Sequence, residues 1–113
     1  GTVWIVWTAA KGAESRLCFT RCSGQVCAPA RRIPSGYSAN TGSSIAIDND
    51  GTPWLVWSAS DTGADAIVFS RWHGTEWDPP KQISKEDAYP DILPVIGLDK
   101  EGKPWVYWTG YDG

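Results

Sequence analysis

The side chains that could take part in chemistry begin with three cysteines. Cys18, Cys22 and Cys27 lie within ten residues of one another, but a zinc site needs a fourth ligand nearby. The sole histidine, His73, lies far along the chain, and it offers a serine or cysteine nucleophile no orienting partner. Neither zinc binding nor nucleophilic catalysis is therefore expected. A disulfide within the cluster is the alternative, and it would indicate an oxidising compartment.

Acidic residues gather in the segment 48–51, where Asp48 and Asp50 precede a glycine. Carboxylates at this spacing could bind calcium. The counterpart segment 99–102 contains Lys100, however, and places a cation in the loop. We therefore expect plain hairpin turns in both segments, with no metal and no cofactor.

Charge and hydropathy exclude two classes of partner. The chain has 113 residues and a formal net charge of −3, and its nearest approach to a basic cluster is the pair Arg31 and Arg32. Phosphate-binding surfaces need clustered positive charge, so no nucleic acid is expected. No apolar run approaches the ~18 residues of a membrane span. The chain opens directly into strand-type residues without a start Met or a signal-peptide pattern, which indicates an excised or processed piece.

An internal repeat organises the elements that must position these residues. With a shift of 50, GTVWIVWTAA aligns with GTPWLVWSAS, and beyond residue 83 the shift becomes 51. A period of ~20–50 residues is typical of solenoids, propellers and arrays. Each unit contains a Trp-x-x-Trp segment, at residues 4–7, 54–57 and 105–108. Because successive strand residues face opposite ways, these segments predict sheets that are covered on both faces.

Each unit breaks into four short strands. In the complete unit we predict strands at residues 44–48, 53–57, 66–72 and 76–83. Pro79 and Pro80 place the fourth strand at a sheet edge, where a missing donor is tolerated. Four strands per ~50 residues without helical periodicity favour all-β propeller blades. A nine-stranded β-sandwich is the alternative, but it would not explain the repeat.

The predicted fold is thus about two and a quarter repeats of four-stranded antiparallel blades. Residues 1–42 would form a blade that lacks its inner strand, residues 43–91 a complete blade, and residues 92–113 the first two strands of another. Propellers close with ~4–8 blades, and repeats bury their faces only against neighbours. We therefore expect either a fragment of a longer propeller or an oligomerising protomer. Its partners would be neighbouring blades of the same protein or of other copies.

The hairpin between the third and fourth strands resembles the Asp box, S/T-x-D-x-G-x-T-W, of sialidase-like and BNR-repeat propellers. Ser70, Gly74 and Trp77 stand at the motif positions. Trp72 replaces the Asp of the motif, and Glu76 replaces the Thr. The hairpin is therefore a degenerate Asp box, and the resemblance implies a propeller of the sialidase-like kind.

The first copy of this hairpin is degenerate in another way. Thr20 and Gly24 fit the motif, while Cys22 and Cys27 stand where the second copy has its two tryptophans. The alignment implies that these two cysteines face each other across the hairpin and form a disulfide. It also makes Cys18 a buried small hydrophobe.

In propellers of this family the active site lies on the face opposite the Asp boxes, which here implicates the loops 9–14, 35–42, 60–65 and 85–91. The candidate ligand-binding residues are Tyr37, Tyr89 and Asp91 in these loops, together with Trp72 on the outer hairpin. A retaining sialidase resembling the family would also need three arginines that clamp a carboxylate. No arginine lies within these loops, so no catalytic residue is expected.

These observations predict a non-catalytic propeller segment that acts as a scaffold or interaction module, with carbohydrate binding as its specific task. The alternative is a fragment of a sialidase-like glycoside hydrolase whose catalytic residues lie mostly in absent blades. Both interpretations predict an extracytoplasmic protein that is secreted, periplasmic or at the cell surface.

Overall fold

The computed structural model describes residues 1–61, 63–85 and 90–110, which fold as antiparallel β-strands joined by turns and loops. The all-β prediction is confirmed, since these residues contain no helix. In this part of the chain, accordingly, there is no helix of the length and apolarity that crossing a membrane requires.

The strands form three sheets that follow one another along the sequence. Sheet I contains β1 (Thr2–Lys11), β2 (Glu14–Ser23), β3 (Val26–Cys27) and β4 (Arg31–Arg32), with β1, β3 and β4 all paired to β2. Sheet II contains, in spatial order, β5 (Ala39–Ile47), β6 (Pro53–Ser60), β7 (Ala66–Arg71) and β8 (Lys81–Gln82). Sheet III contains β9 (Asp91–Leu98) and β10 (Pro104–Gly110).

The strand pairing recurs at the offsets found in the sequence. Trp4 pairs with Arg21 in sheet I, and Trp54 pairs with Arg71 in sheet II, at a shift of 50. The pairing of β5 with β6 recurs in β9 with β10 at a shift of 51. The same local geometry is therefore built from each copy of the repeated sequence.

All four strands predicted for the complete unit differ in length from the observed ones: β6 continues to Ser60, beyond the predicted 53–57, and β7 ends at Arg71 rather than at residue 72. The inner strand, predicted at 44–48, begins earlier, because β5 pairs with β6 on both sides of a bulge. The fourth strand, predicted at 76–83, is limited to β8 and an isolated bridge between Trp72 and Trp77. Pro79 and Pro80 lie between these two pairings and have no N–H to donate. The prolines thus shorten the edge strand as well as marking it.

The predicted loop at 9–14 is mostly strand. Pairing between β1 and β2 continues to Lys11 and Glu14, which leaves a two-residue turn. Gly12 has a φ of +61° there, a conformation that tight hairpins need and glycine adopts without steric cost.

The core lies on both faces of sheet II. On the face toward sheet I, Leu55 and Trp57 are fully buried in one cluster with Leu17 and Phe19. On the opposite face Val56 is fully buried, near Ile96 of sheet III. A buried Trp removes about 150–250 Å² from water, roughly 4–6 kcal/mol gross at ~25 cal/mol per Å². The Trp-rich strand β6 therefore contributes strongly to the packing of the three sheets.

A bulge interrupts the inner strand of sheets II and III at the same repeat position. The register shifts between Thr41 and Ser44 in β5 and between Ile92 and Val95 in β9. Gly42 has a φ of +63° in the first bulge. Leu93, at the matching position of the second, has a φ of +56° and is the one non-glycine residue of the described segments with positive φ. The backbone of β9 is therefore strained at this leucine.

Candidate functional site

The two tryptophans of the sheet II hairpin are enclosed between sheets I and II. Trp72 and Trp77 face each other across the hairpin, with ring centroids 5.5 Å apart, and both are 6% exposed. Their rings also meet Trp4 and Phe19 of sheet I edge to face. Trp72, predicted from the sequence as a ligand platform, therefore packs within the core and presents no open ring face.

Arginines cover this aromatic cluster. The Arg21 guanidinium lies 5.5 Å from the Trp4 ring centroid and 5.3 Å from that of Trp72. Arg31 lies over the rings of Phe19 and Trp72. Guanidinium groups in such positions contribute about 0.5–1 kcal/mol when exposed. These arginines are thus engaged in packing between the sheets.

A disulfide occupies the corresponding place in sheet I. Cys22 and Cys27 are directly paired and joined covalently, at the repeat positions of the sheet II tryptophan pair. Cys18 is a free thiol and is partly buried. The pairing agrees with the one that the hairpin alignment implies.

The first motif position of each hairpin has a structural role. The Ser70 hydroxyl donates to the carbonyl oxygen of Asp78 at 2.6 Å, and the Thr20 hydroxyl donates to that of Ala28 at 2.6 Å. These are equivalent bonds, 50 residues apart. A hydroxyl at this position therefore joins the segment that follows the hairpin to β7 in sheet II and to β2 in sheet I.

The acidic turns are hydrogen-bonded hairpin turns. Asp48 Oδ1 accepts from the backbone N–H of Asp50 and Thr52, and Oδ2 accepts from Trp54 Nε1 at 2.9 Å. The Trp54 bond, followed by the Thr52 bond, holds the pKa of the Asp48 carboxyl below its usual value. This carboxylate therefore stabilises the turn and orients the first tryptophan of the next strand.

Sheet III repeats this arrangement. Asp99 Oδ1 accepts from the backbone of Glu101 and Lys103, and Oδ2 accepts from Trp105 Nε1 at 3.3 Å. The backbone bond from Lys103 is the main cause that lowers the pKa of Asp99. Among the described residues, no three metal-ligating side chains come together.

The candidate loops are only partly brought together. Tyr37 and Asp61 line a polar cleft of about 190 Å³ with Gln82 and Lys85. One carboxylate oxygen of Asp61 accepts from the backbone N–H of Ser38 at 2.8 Å, which fixes its direction. The cleft offers an aromatic ring, a carboxylate, an amide and an ammonium group at the ends of the strands opposite the 48–51 turn.

Asp91, another predicted ligand residue, does not line this cleft. Asp91 is largely buried as the first residue of β9, where its carbonyl oxygen accepts from the Ser58 hydroxyl at 3.0 Å and its N–H donates to the Asp65 carbonyl. It therefore joins sheets II and III. Tyr89 lies outside the described residues.

A buried amide network at Asn40 was not foreseen from the sequence. The Asn40 side chain accepts from Trp57 Nε1 at 3.0 Å and donates to the carbonyl oxygens of Ser15 and Tyr37, each at 2.9 Å. Asn40 is 1% exposed. The available signal was the indole of Trp57, because a buried Trp N–H usually requires a partner. The network holds the loop ends of sheets I and II together beside the polar cleft.

Apolar side chains are exposed on the two outermost faces of the stack. The outer face of sheet I carries Val3, Ile5 and Trp7 on β1, all exposed. The outer face of sheet III carries Trp105 and Tyr107, which are 54% and 62% exposed and pack against each other. Monomeric proteins rarely expose extended apolar surfaces.

Sheet II carries a further open region, which we call the sheet II groove. Trp54 and Phe69 stack there with centroids 6.0 Å apart, and Arg71 lies 5.0 Å from the Trp54 centroid. The groove has a volume of about 270 Å³ and includes Pro79 and Lys81. The groove repeats the arrangement of Trp4, Phe19 and Arg21 on sheet I, which the tryptophan pair of sheet II covers. No described strand of sheet III covers the groove in the same way.

Comparison with protein-family models, with curated proteins and with solved structures finds no significant match to this chain.

Proposed function

We propose that this chain is a β-propeller segment of the sialidase-like kind that acts as a non-catalytic scaffold or interaction module. One observation carries the proposal: sheet II is covered on both faces, while the equivalent faces at the two ends of the stack are open. Val3 and Ile5 lie on the outer face of sheet I, and the equivalent face of sheet II is the one that sheet I covers. Trp105 and Tyr107 lie on the outer face of sheet III, and the equivalent face of sheet II is the one that faces sheet III. Stacking repeats bury such faces against neighbours.

The arginines favour a non-catalytic role. A sialidase-type site would need arginines directed at a substrate carboxylate, but Arg21, Arg31 and Arg71 lie over aromatic rings. The alternative, a glycoside hydrolase with its catalytic residues mostly elsewhere, would use this chain as the same kind of support. A fluorogenic sialoside tests the non-catalytic assignment: we expect no hydrolysis, and measurable turnover by the 113-residue chain would overturn that assignment.

The polar cleft favours carbohydrate as the ligand of such a module. Sugar sites combine an aromatic surface with a few directed polar groups, and Tyr37, Asp61 and Lys85 provide this combination. Titration with a panel of neutral and sialylated oligosaccharides, followed by NMR, should perturb resonances of these residues. The Asp61→Ala variant should bind more weakly, whereas the exposed-turn variant Glu101→Ala should bind normally. Equal binding by both variants would remove the cleft from the proposal.

Self-association tests the interaction role directly. We expect sedimentation equilibrium to show mass that rises with protein concentration, because the outer faces are apolar. Tyr107→Lys should weaken the association, and Glu101→Gln, which raises the net charge by the same one unit in an exposed turn of the same sheet, should not. A monomer at every concentration would count against the proposal.

An extracytoplasmic location is part of the proposal and is supported by the disulfide, since such bonds persist in oxidising compartments. Non-reducing peptide mapping should recover Cys22 linked to Cys27. Free thiols at both positions in protein taken directly from its source would remove this support.

A further inference from the structure

The polar cleft owes its space to small side chains. Its described lining residues all lie between Tyr37 and Lys85. The small ones are Ala59, Gly63, Ala64 and Ala66. A larger side chain is compatible with the strand at this place, because Arg16 of β2 stands at the repeat position of Ala66 of β7. The fold therefore does not require the cleft, and the small residues of sheet II create it.

The aromatic wall of the cleft is held in place by its own backbone contacts. The N–H of Tyr37 donates to the hydroxyl of the buried Ser35 at 3.1 Å, and the Tyr37 carbonyl oxygen accepts from the Asn40 amide at 2.9 Å. The Tyr37 side chain packs against the core cluster and also lines the cleft. A ring that is already ordered loses little conformational entropy when a ligand packs on it.

Two side chains present oxygen acceptors to the cleft. One carboxylate oxygen of Asp61 accepts from the Ser38 N–H at 2.8 Å, which leaves the second oxygen able to accept from a ligand. Gln82 Nε2 donates to the Ser84 carbonyl oxygen at 3.1 Å, so Gln82 Oε1 is the end of that amide which can meet a ligand. Two acceptors in one small cleft match a ligand with two neighbouring donors, and adjacent hydroxyls on a sugar ring are such a pair.

The charges that line the cleft favour a neutral ligand. Asp61 is negative and Lys85 is positive, and within the described part of the chain these two groups form no ion pair. Because their charges sum to zero, a ligand carboxylate attracted by Lys85 is repelled by Asp61. A hydroxyl meets both groups favourably, since it can accept from the ammonium and donate to the carboxylate.

We propose that the polar cleft binds one neutral sugar ring through two adjacent hydroxyls and discriminates against sugars that carry a carboxylate. The apolar face of the ring lies on Tyr37, and the hydroxyls donate to Asp61 and Gln82. The cleft volume of about 190 Å³ is below the roughly 300–1,000 Å³ of pockets for drug-sized ligands, which suits a single ring. The inference rests on the carbohydrate-binding role proposed above and names its ligand class.

Simple glycosides test the ligand class. The isotope-labelled chain is titrated, with NMR detection, with methyl α-mannoside, methyl β-galactoside and the methyl glycoside of N-acetylneuraminic acid. We expect a neutral glycoside to shift the amide resonances of Tyr37, Asp61 and Ala66, and the neuraminic acid glycoside to leave them unchanged at the same concentration. The fully O-methylated form of the glycoside that binds keeps the ring but has no hydroxyl donor, and it should not bind.

Matched variants test the position of the ligand. Asp61→Asn keeps an oxygen for the Ser38 bond and removes the charge, and it should weaken binding of the neutral glycoside about tenfold, because charged acceptors form stronger hydrogen bonds. Glu101→Gln removes a carboxylate from an exposed turn and should bind as the wild type does. Ala66→Leu fills the cleft without removing a polar group and should abolish binding. If Ala66→Leu fails to fold, Asp61→Asn still decides.

The outcomes separate this inference from the proposed function. Neutral binding that Asp61→Asn weakens and Glu101→Gln does not supports both. Binding of the neuraminic acid glycoside alone overturns the neutral-sugar inference and keeps carbohydrate as the ligand of the module. Neutral binding that survives in folded Ala66→Leu overturns the cleft as its site. If no glycoside binds, the inference and the carbohydrate role both fail, and sedimentation still tests the interaction role by itself.

Discussion

Replacing Asn40 by alanine should destabilise the protein far more than the size of the side chain suggests. The substitution removes the acceptor of a fully buried indole N–H on Trp57 and both donors to the carbonyl oxygens of Ser15 and Tyr37. A buried polar group left without a partner costs about 1–3 kcal/mol. The indole cannot turn toward water, whereas the carbonyls lie near the loop ends and can recover part of their solvation. We therefore expect Asn40→Ala to lower the free energy of unfolding by about 2–4 kcal/mol.

The measurement is urea unfolding followed by tryptophan fluorescence, with Trp57→Phe as the matched background. Phenylalanine has no N–H to leave unsatisfied, so Asn40→Ala should cost about 1–2 kcal/mol less in Trp57→Phe than in the wild type. Ser23→Ala, at the exposed end of β2, is the surface control and should stay within about 0.5 kcal/mol of the wild type. Equal costs of Asn40→Ala in the two backgrounds would refute the indole bond, and a cost at the level of the surface control would refute the whole network.

Two further predictions follow from the repeated bulge and from the acidic turns. Leu93→Gly should raise the melting temperature, because glycine removes the strain of a left-handed conformation, which costs about 1–2 kcal/mol. Gly42→Leu introduces the same strain in β5 and should lower the melting temperature. Calorimetry that shows Leu93→Gly to be destabilising would contradict the strain. Because the pKa of Asp48 is lowered by folding, its stabilisation is present above the ordinary carboxyl pKa of about 4 and is lost as pH falls through the folded-state value. Asp48→Asn should therefore lose less stability than the wild type between about pH 5 and pH 2 in acid titrations of unfolding, and parallel curves would show that the turn does not depend on the carboxylate.

The features that could be predicted from the sequence are those that follow from local pattern and from repetition. The Trp-x-x-Trp segments predicted strands covered on both faces, and Trp57 with Val56 shows both faces buried in β6. Aligning the two hairpins predicted which cysteines are paired, because equivalent positions in a repeat have equivalent neighbours. The prolines predicted that the fourth strand lies at a sheet edge. They did not predict how short this strand is, because two consecutive residues without an N–H interrupt its pairing.

Other features depend on contacts between sheets and leave little trace in local sequence. The sequence predicts Trp72 as a ligand residue on the outer hairpin. Whether its ring is open depends on Trp4 and Phe19, which are distant in sequence. Asn40 carries no local sequence signal, and only its position beside the Trp57 indole shows its role. Leu93 has no sequence signal of its own, and its positive φ follows from the bulge that β9 shares with β5.

The aromatic cluster also gives the protein an internal optical probe. The rings of Trp4, Trp72 and Trp77 lie 5.3–6.0 Å from one another at steep angles. Indole transition dipoles this close couple to each other and produce paired bands of opposite sign in circular dichroism. The Trp72–Trp77 coupling arises within sheet II, whereas the two couplings to Trp4 arise between sheets I and II, so the part of these bands that depends on Trp4 reports contact between the sheets. Separation of the two sheets can therefore be followed without any label.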